Sequence, residues 1–131
     1  MIALDTNVLV RYLAQDDARQ SALATALIEG QISAANKGFV SLVALLETVW
    51  VMQSCYDADE AAVVDILGDL LDTDCLDVQE APAVRHAFVQ FSTGKVDLHD
   101  CLIVALAEER KARVVTFDAK AARRLGMDLL R

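Results

Sequence analysis

A chain of 131 residues, 55% of them apolar, has room and material for one domain with a real core. One proline and five glycines exclude a loop-rich or low-complexity architecture, and a net charge of −8 excludes a uniformly basic nucleic-acid binder. The charge is uneven: residues 1–109 hold 5 Lys/Arg against 18 Asp/Glu, and residues 110–131 hold 7 Lys/Arg against 2 Asp. That basic C-terminal stretch reads either as a solvated helix or as a phosphate-attracting edge on an acidic body.

Ile2–Asp5 reads as a short buried strand, followed by a helix from about Asn7 to Ala14. Asp16 or Asp17 can cap the next helix, Arg19 to about Gln31. Gly38–Val40 is a strand candidate, and Ser41 then caps a long apolar helix. Asp57 or Asp59 starts another helix, with Val63, Ile66, Leu67, Leu70 and Leu71 at helical spacing. Cys75–Val78 reads as a strand. Pro82 suits the first turn of a helix running to about Ser92, with Gly94 at its exit. Asp97 opens the helix Leu98–Glu109. Arg113–Phe117 is a β-branched strand, a short basic helix follows, and Met127–Leu130 reads as a last strand. Short apolar strands alternating with helices predict an α/β fold with a mostly parallel sheet covered on both faces.

No apolar run reaches the roughly 20 residues that span a bilayer. The opening MIALDTNVLV lacks the basic start and cleavage site of a signal peptide, so a cytoplasmic protein is expected. Cys55, Cys75 and Cys101 have no CxxC spacing, which argues against a disulfide framework or a zinc site. All three are expected to be small buried hydrophobes.

The acidic residues carry the chemistry. From Gly38 to Tyr56 the chain reads GFVSLVALLETVWVMQSCY, and Glu47 is its only charge. Burial of an unpaired carboxylate is costly, so Glu47 is expected to share a pocket with a partner. Ligands of parallel α/β sheets gather beyond the carboxyl ends of the strands. Asp5 ends the first strand, in LDTN, and Asp118 ends the strand VVTFD. Asp100 lies in the first turn of a helix that continues CLIVALA, and Asp97, three residues earlier, lies on roughly the same face.

Each acid also has a structural role open to it. Asp5, Asp97 and Asp118 can cap helices, Asp100 can complement a helix dipole, and Glu47 can pair with a buried arginine such as Arg11. Convergence at one strand edge would instead bring carboxylates together, where they repel and either hold protons or bind a cation. An all-oxygen set suits Mg²⁺ or Mn²⁺ and not zinc. His99 reads as a surface or supporting group. Acidic Mg²⁺ pockets handle phosphates by activating a water and stabilising a leaving oxygen.

LDTNVLVRYL, a lone Glu in an apolar helix, DLHDCLIVALA and VVTFD together resemble a PIN domain, most closely the VapC-type ribonuclease toxins of toxin–antitoxin pairs. The resemblance runs the length of the chain. It implies a three-layer α/β/α domain over residues 1–131, with a central, mostly parallel sheet of four to five strands. It implies a Mg²⁺- or Mn²⁺-dependent endoribonuclease. Asp5, Glu47, Asp100 and Asp118 match the acidic quartet, and Asp97 an additional acid. Thr6 and Asn7 match the polar residues after the first acid. Cys101 replaces the alanine more usual there, with no functional change expected. The implied roles place a metal ion on Asp5 and Asp100, with Asp118 bound directly or through water. Glu47 would complete the pocket, and Asn7 would touch the scissile phosphate. Lys120, Arg123 and Arg124 would steer the RNA backbone. A cognate antitoxin and a homodimer are implied as partners, and the apolar surplus fits an extra buried interface.

Three other readings compete. A phospho-acceptor receiver needs paired acids after its first strand and a lysine ending its last, where this chain has Asp5 alone and Asp118. A haloacid-dehalogenase-like phosphatase needs a second Asp where Asn7 stands. A catalytically silent PIN fold would act only as a binding module, and the intact acidic set argues against it.

Overall fold

The structure is a computed structural model describing residues 1–131. The chain divides into two compact units, Met1–Gln79 and Glu80–Arg131. No helix is long and apolar enough to cross a membrane.

The first unit is built on three parallel strands, β1 (Ile2–Ala3), β2 (Gly38–Val40) and β3 (Leu76–Val78), in the order β1-β2-β3. Ile2 pairs with Gly38 and Ala3 with Phe39; Gly38, Phe39 and Val40 pair with Leu76, Asp77 and Val78. Main-chain bonds extend the ladder past the strand ends, as in Leu4 N–H to Phe39 O (2.9 Å) and Gln79 N–H to Val40 O (2.9 Å). A side chain at Gly38 would meet Ile32 Cδ1 at 2.8 Å and Leu76 Cδ2 at 2.9 Å, which explains a glycine in the middle strand.

The helices follow from their caps. Asp17 opens α2 (Ala18–Thr25) by accepting from the Gln20 amide, and Ser41 opens α3 (Leu42–Cys55) by accepting from that of Ala44. Asp59, not Asp57, opens α4 (Glu60–Asp72), through the Ala62 amide. Helix α1 spans Thr6–Ala14. The helix expected to run from Arg19 to Gln31 does so in two parts: after Thr25 it widens into a π-helical segment, Ala26–Gln31. Leu9, Val40, Leu45, Val63 and Leu67 are almost wholly inaccessible, as is Thr48, whose hydroxyl donates to Ala44 O (2.7 Å).

The second unit packs α5 (Ala81–Ser92) against α6 (Leu98–Glu109). Val84, Ala87 and Phe91 are buried on α5; Leu98, Cys101, Leu102 and Ala105 on α6, at helical spacing. Then come β4 (Val115–Thr116), α7 (Ala119–Leu125) and β5 (Asp128–Leu129), the strands pairing in parallel as Val115↔Asp128 and Thr116↔Leu129. Gly126, at φ +71°, ends α7 in the left-handed conformation that glycine favours.

Two expectations are corrected. The five strands do not hydrogen-bond into one sheet of four to five; they pair as a sheet of three and a sheet of two. Strands β4 and β5 have two residues each, and Val115 and Phe117 lie exposed. Burial of the cysteines is also overstated: Cys101 is buried, Cys75 half-buried and Cys55 exposed at the end of α3.

Glu47 is a third correction, for it is exposed. Around α3 the buried positions are Ala44, Leu45, Thr48, Val49 and Met52, while Val43, Glu47 and Trp50 face outward. Leu45→Ala should therefore cost about 2–5 kcal/mol in denaturant unfolding, and Glu47→Gln at most about 0.5 kcal/mol. A large loss in the second variant would restore Glu47 to the core.

Candidate active site

In the first unit, the chain leaves β1 and turns into α1 at Asp5. The Asp5 carboxylate accepts a bond from the amide of Thr6, its immediate neighbour, at 2.8 Å. An N-cap ordinarily bonds one or two residues further on, so capping accounts for only part of what Asp5 does. Asp5 lines a cavity of about 390 Å³ whose walls include Thr6, Asn7, Arg11, Glu47 and Tyr56. Thr6 is buried, while Asp5, Asn7 and Glu47 are exposed. Two expected acids thus share one cavity, at the end of β1 and on α3.

Arg11, on the same wall, is not Glu47's partner. Its Nη1 donates to Asp16 Oδ1 (3.1 Å) and its Nε to Gln20 Oε1 (2.7 Å). Tyr56 donates its hydroxyl to the other Asp16 oxygen at 2.7 Å. That bond is the main reason the Asp16 carboxyl sits below its usual range, with Asp16's own amide and Arg11 adding to it. The same bond raises the Tyr56 hydroxyl above its ordinary value. Arg11 and Tyr56 were not singled out as site residues from the sequence. The available signal was Arg11's position one turn after Asn7.

In the second unit, Asp97, Asp100 and Asp118 line a cavity of about 130 Å³ together with Lys95, Lys120 and Arg124. Asp97 holds the N-cap position of α6 but makes no side-chain cap bond, so the plain capping role open to it is not taken up. Asp118 is a full cap: its Oδ1 accepts from the amides of Lys120 (2.9 Å) and Ala121 (3.1 Å). Its Oδ2 makes no such bond. Asp100, in the first turn of α6, is only partly exposed. Burial raises its pKa above the ordinary carboxylate value, the charges of Asp97 and Asp118 raise it further, and His99 pulls the other way. Burial, then Asp100 and Asp97, push the Cys101 thiol up to about 11, which leaves it un-ionised and unreactive at neutral pH.

The basic residues divide. Lys120 and Arg124 stand at this cavity, and Arg123 is not part of its wall. Arg124 Nη1 donates to the carbonyl of Lys95, tying down a residue at φ +68°. His99 is exposed, as expected. The acidic side chains of each cavity offer oxygen donors, which suit Mg²⁺ or Mn²⁺ in kind, though exposed Cys55 also lines the first. In neither unit do three acidic, histidine or cysteine side chains close around one ion position.

The PIN domain family pattern matches residues 2–126, across both units. The chain belongs to the PIN domain family. PIN domains are generally nucleases that act on RNA, usually with divalent metals. No individual curated protein matches the chain. Family membership removes the receiver and phosphatase readings, since the acids of this PIN domain belong to a different fold family.

The raised Asp100 carboxyl has a stability consequence. Folded Asp100 holds its proton more tightly than the unfolded chain does, so its ionisation opposes folding. This penalty is absent below the ordinary carboxylate range, grows as pH rises through the raised value and persists at neutral pH. Asp100→Asn should therefore make the protein more stable at pH 7. The gain should vanish in acid. Thermal unfolding of both proteins across pH checks this, and a stability loss at pH 7 would contradict it.

Proposed function

We propose that this PIN domain is a metal-dependent endoribonuclease, with Asp5 and Glu47 in one cavity and Asp97, Asp100 and Asp118 in the other supplying its carboxylates. The observation that carries the reading is the Asp100 carboxyl, part-buried beside Asp97 and Asp118, where like charge has accumulated that a cation would relieve. Mg²⁺ or Mn²⁺, when bound, lowers the pKa of a water and offsets phosphate charge. Asp5 in the first unit and Asp100 in the second would each be a metal ligand. Asp118 offers its uncommitted Oδ2 while Oδ1 stays fixed by the amides of α7. Asp97, its carboxylate free of capping, would be an additional ligand. Glu47, on the outward side of α3, is suited to orient a water from solvent.

The reaction is hydrolysis. The water oxygen bonds to phosphorus as the bond to a ribose oxygen breaks, and the water's proton ends on that leaving oxygen. Thr6 and Asn7 border the acids and contact the phosphate. Lys120 attracts the RNA backbone, and Arg123 and Arg124 add positive charge on α7. The protein is further proposed to be the toxin of a toxin–antitoxin pair and a homodimer, acting in the cytoplasm. An acidic cavity suits a basic antitoxin side chain as its plug, and the outward Val43 and Trp50 of α3 supply apolar surface for a protein interface.

Cleavage of a structured RNA with Mg²⁺ or Mn²⁺, and with chelator, tests the activity. Asp5→Asn and Asp100→Asn should each lower the rate on the order of 100-fold or more with the fold retained. Full activity in either variant, or equal cleavage in chelator, would overturn the assignment. A silent binding module would give no cleavage in the wild type.

A further inference from the structure

Arg11 and Asn7 also border a second cavity of the first unit. It measures about 290 Å³ and is lined by Val8, Gln20, Leu23 and Leu27 along with those two residues. Asn7 and Arg11 lie one helical turn apart on α1, so one face of that helix serves both cavities. On one side are the carboxylates of Asp5 and Glu47; on the other are aliphatic side chains and the amides of Asn7 and Gln20.

We propose that this second cavity is a nucleoside subsite, holding the RNA nucleotide next to the scissile phosphate; the proposal rests on the ribonuclease reading. Three features fit that occupant. First, the Arg11 guanidinium is fixed in place before any ligand arrives. Asp16 holds Nη1 and Gln20 holds Nε, while Nη2 has no bond within the chain. A guanidinium held this way presents a directed donor to a phosphate at little entropic cost.

Second, Leu23 is 58% exposed at the cavity although it is large and apolar. With Val8 and Leu27 it offers aliphatic surface for the face of a base. Third, Gln20 uses its Oε1 on Arg11, which leaves its Nε2 amide to donate. An amide free to donate beside an apolar surface suits the edge of a nucleobase. Phosphate at the boundary and base beyond it is the order in which a nucleotide presents its parts. Gln20 and Leu23 would then set which base is preferred beside the cut.

The test uses the full-length protein in chelator, with methyl resonances as the readout and adenosine 5′-monophosphate, the other three 5′-monophosphates and adenosine as probes. Saturable shifts at Val8, Leu23 and Leu27 are expected with at least one monophosphate. Arg11→Met should weaken its binding about tenfold, to the level of the phosphate-free nucleoside. Should Arg11→Met fail to fold, Leu23→Ala at the exposed rim should weaken binding about threefold. Absence of shifts, shifts from benzene but from no nucleotide, or equal binding by wild type and the folded variants would each overturn the subsite. RNA cleavage by the wild type separates this result from the reading beneath it. Metal-dependent cleavage without nucleotide shifts overturns the subsite alone. Nucleotide shifts that require Arg11, without cleavage, uphold nucleotide binding in this cavity but overturn the nuclease and, with it, the placement beside a scissile phosphate.

Discussion

Like charge held at close quarters is the constraint on which the second unit is arranged. Asp97 and Asp118 both act on Asp100, and partial burial denies that carboxyl the water that would screen them. The backbone answers in part. Two amides at the start of α7 take one oxygen of Asp118, and Asp97 and Asp100 both lie at the N-terminal end of α6, where the helix dipole favours negative charge. These contacts lower the cost without removing it. A residue chosen for stability at position 100 would not carry a charge, so the carboxyl there is held at some cost in stability.

The first unit meets a different requirement. Its acids are exposed, and what needs organising there is the surface around them. Asp5 is placed by the end of β1 and the first turn of α1, and Glu47 by the outward side of α3. Arg11 is placed by Asp16 and Gln20, with Tyr56 reaching Asp16 from beyond the end of α3. The carboxylates thus stay accessible and the guanidinium stays oriented. A net charge of −8 is no obstacle to RNA binding, since local placement of a few cations decides where a polyanion is drawn.

Helix starts were legible from the sequence wherever a capping residue met an apolar run. Ser41 before LVALL and Asp97 before LHDCLIVALA gave the starts of α3 and α6, and the end of α6 at Glu109 was also placed. Strand Gly38–Val40 was legible because glycine and β-branched packing bounded it. Strand pairing was not legible: two-residue strands carry too little pattern to say which neighbours they bond. The burial of Glu47 was misread for a definite reason. A run apolar on every side tells little about which side faces inward, and Glu47 shares its outward side with Val43 and Trp50. That Asp97, Asp100 and Asp118 would lie near one another was legible from their positions at a helix start and a strand end. The Arg11–Asp16–Tyr56 arrangement was not, because it joins residues 40 apart in sequence through side-chain geometry alone.

Calorimetric titration of Mn²⁺ into the full-length protein, alongside Asp100→Asn, tests most directly whether the carboxylates serve a cation. The account predicts saturable binding in the wild type that weakens by about tenfold or more in the variant. Equal binding by the two proteins, or none by the wild type, would contradict it.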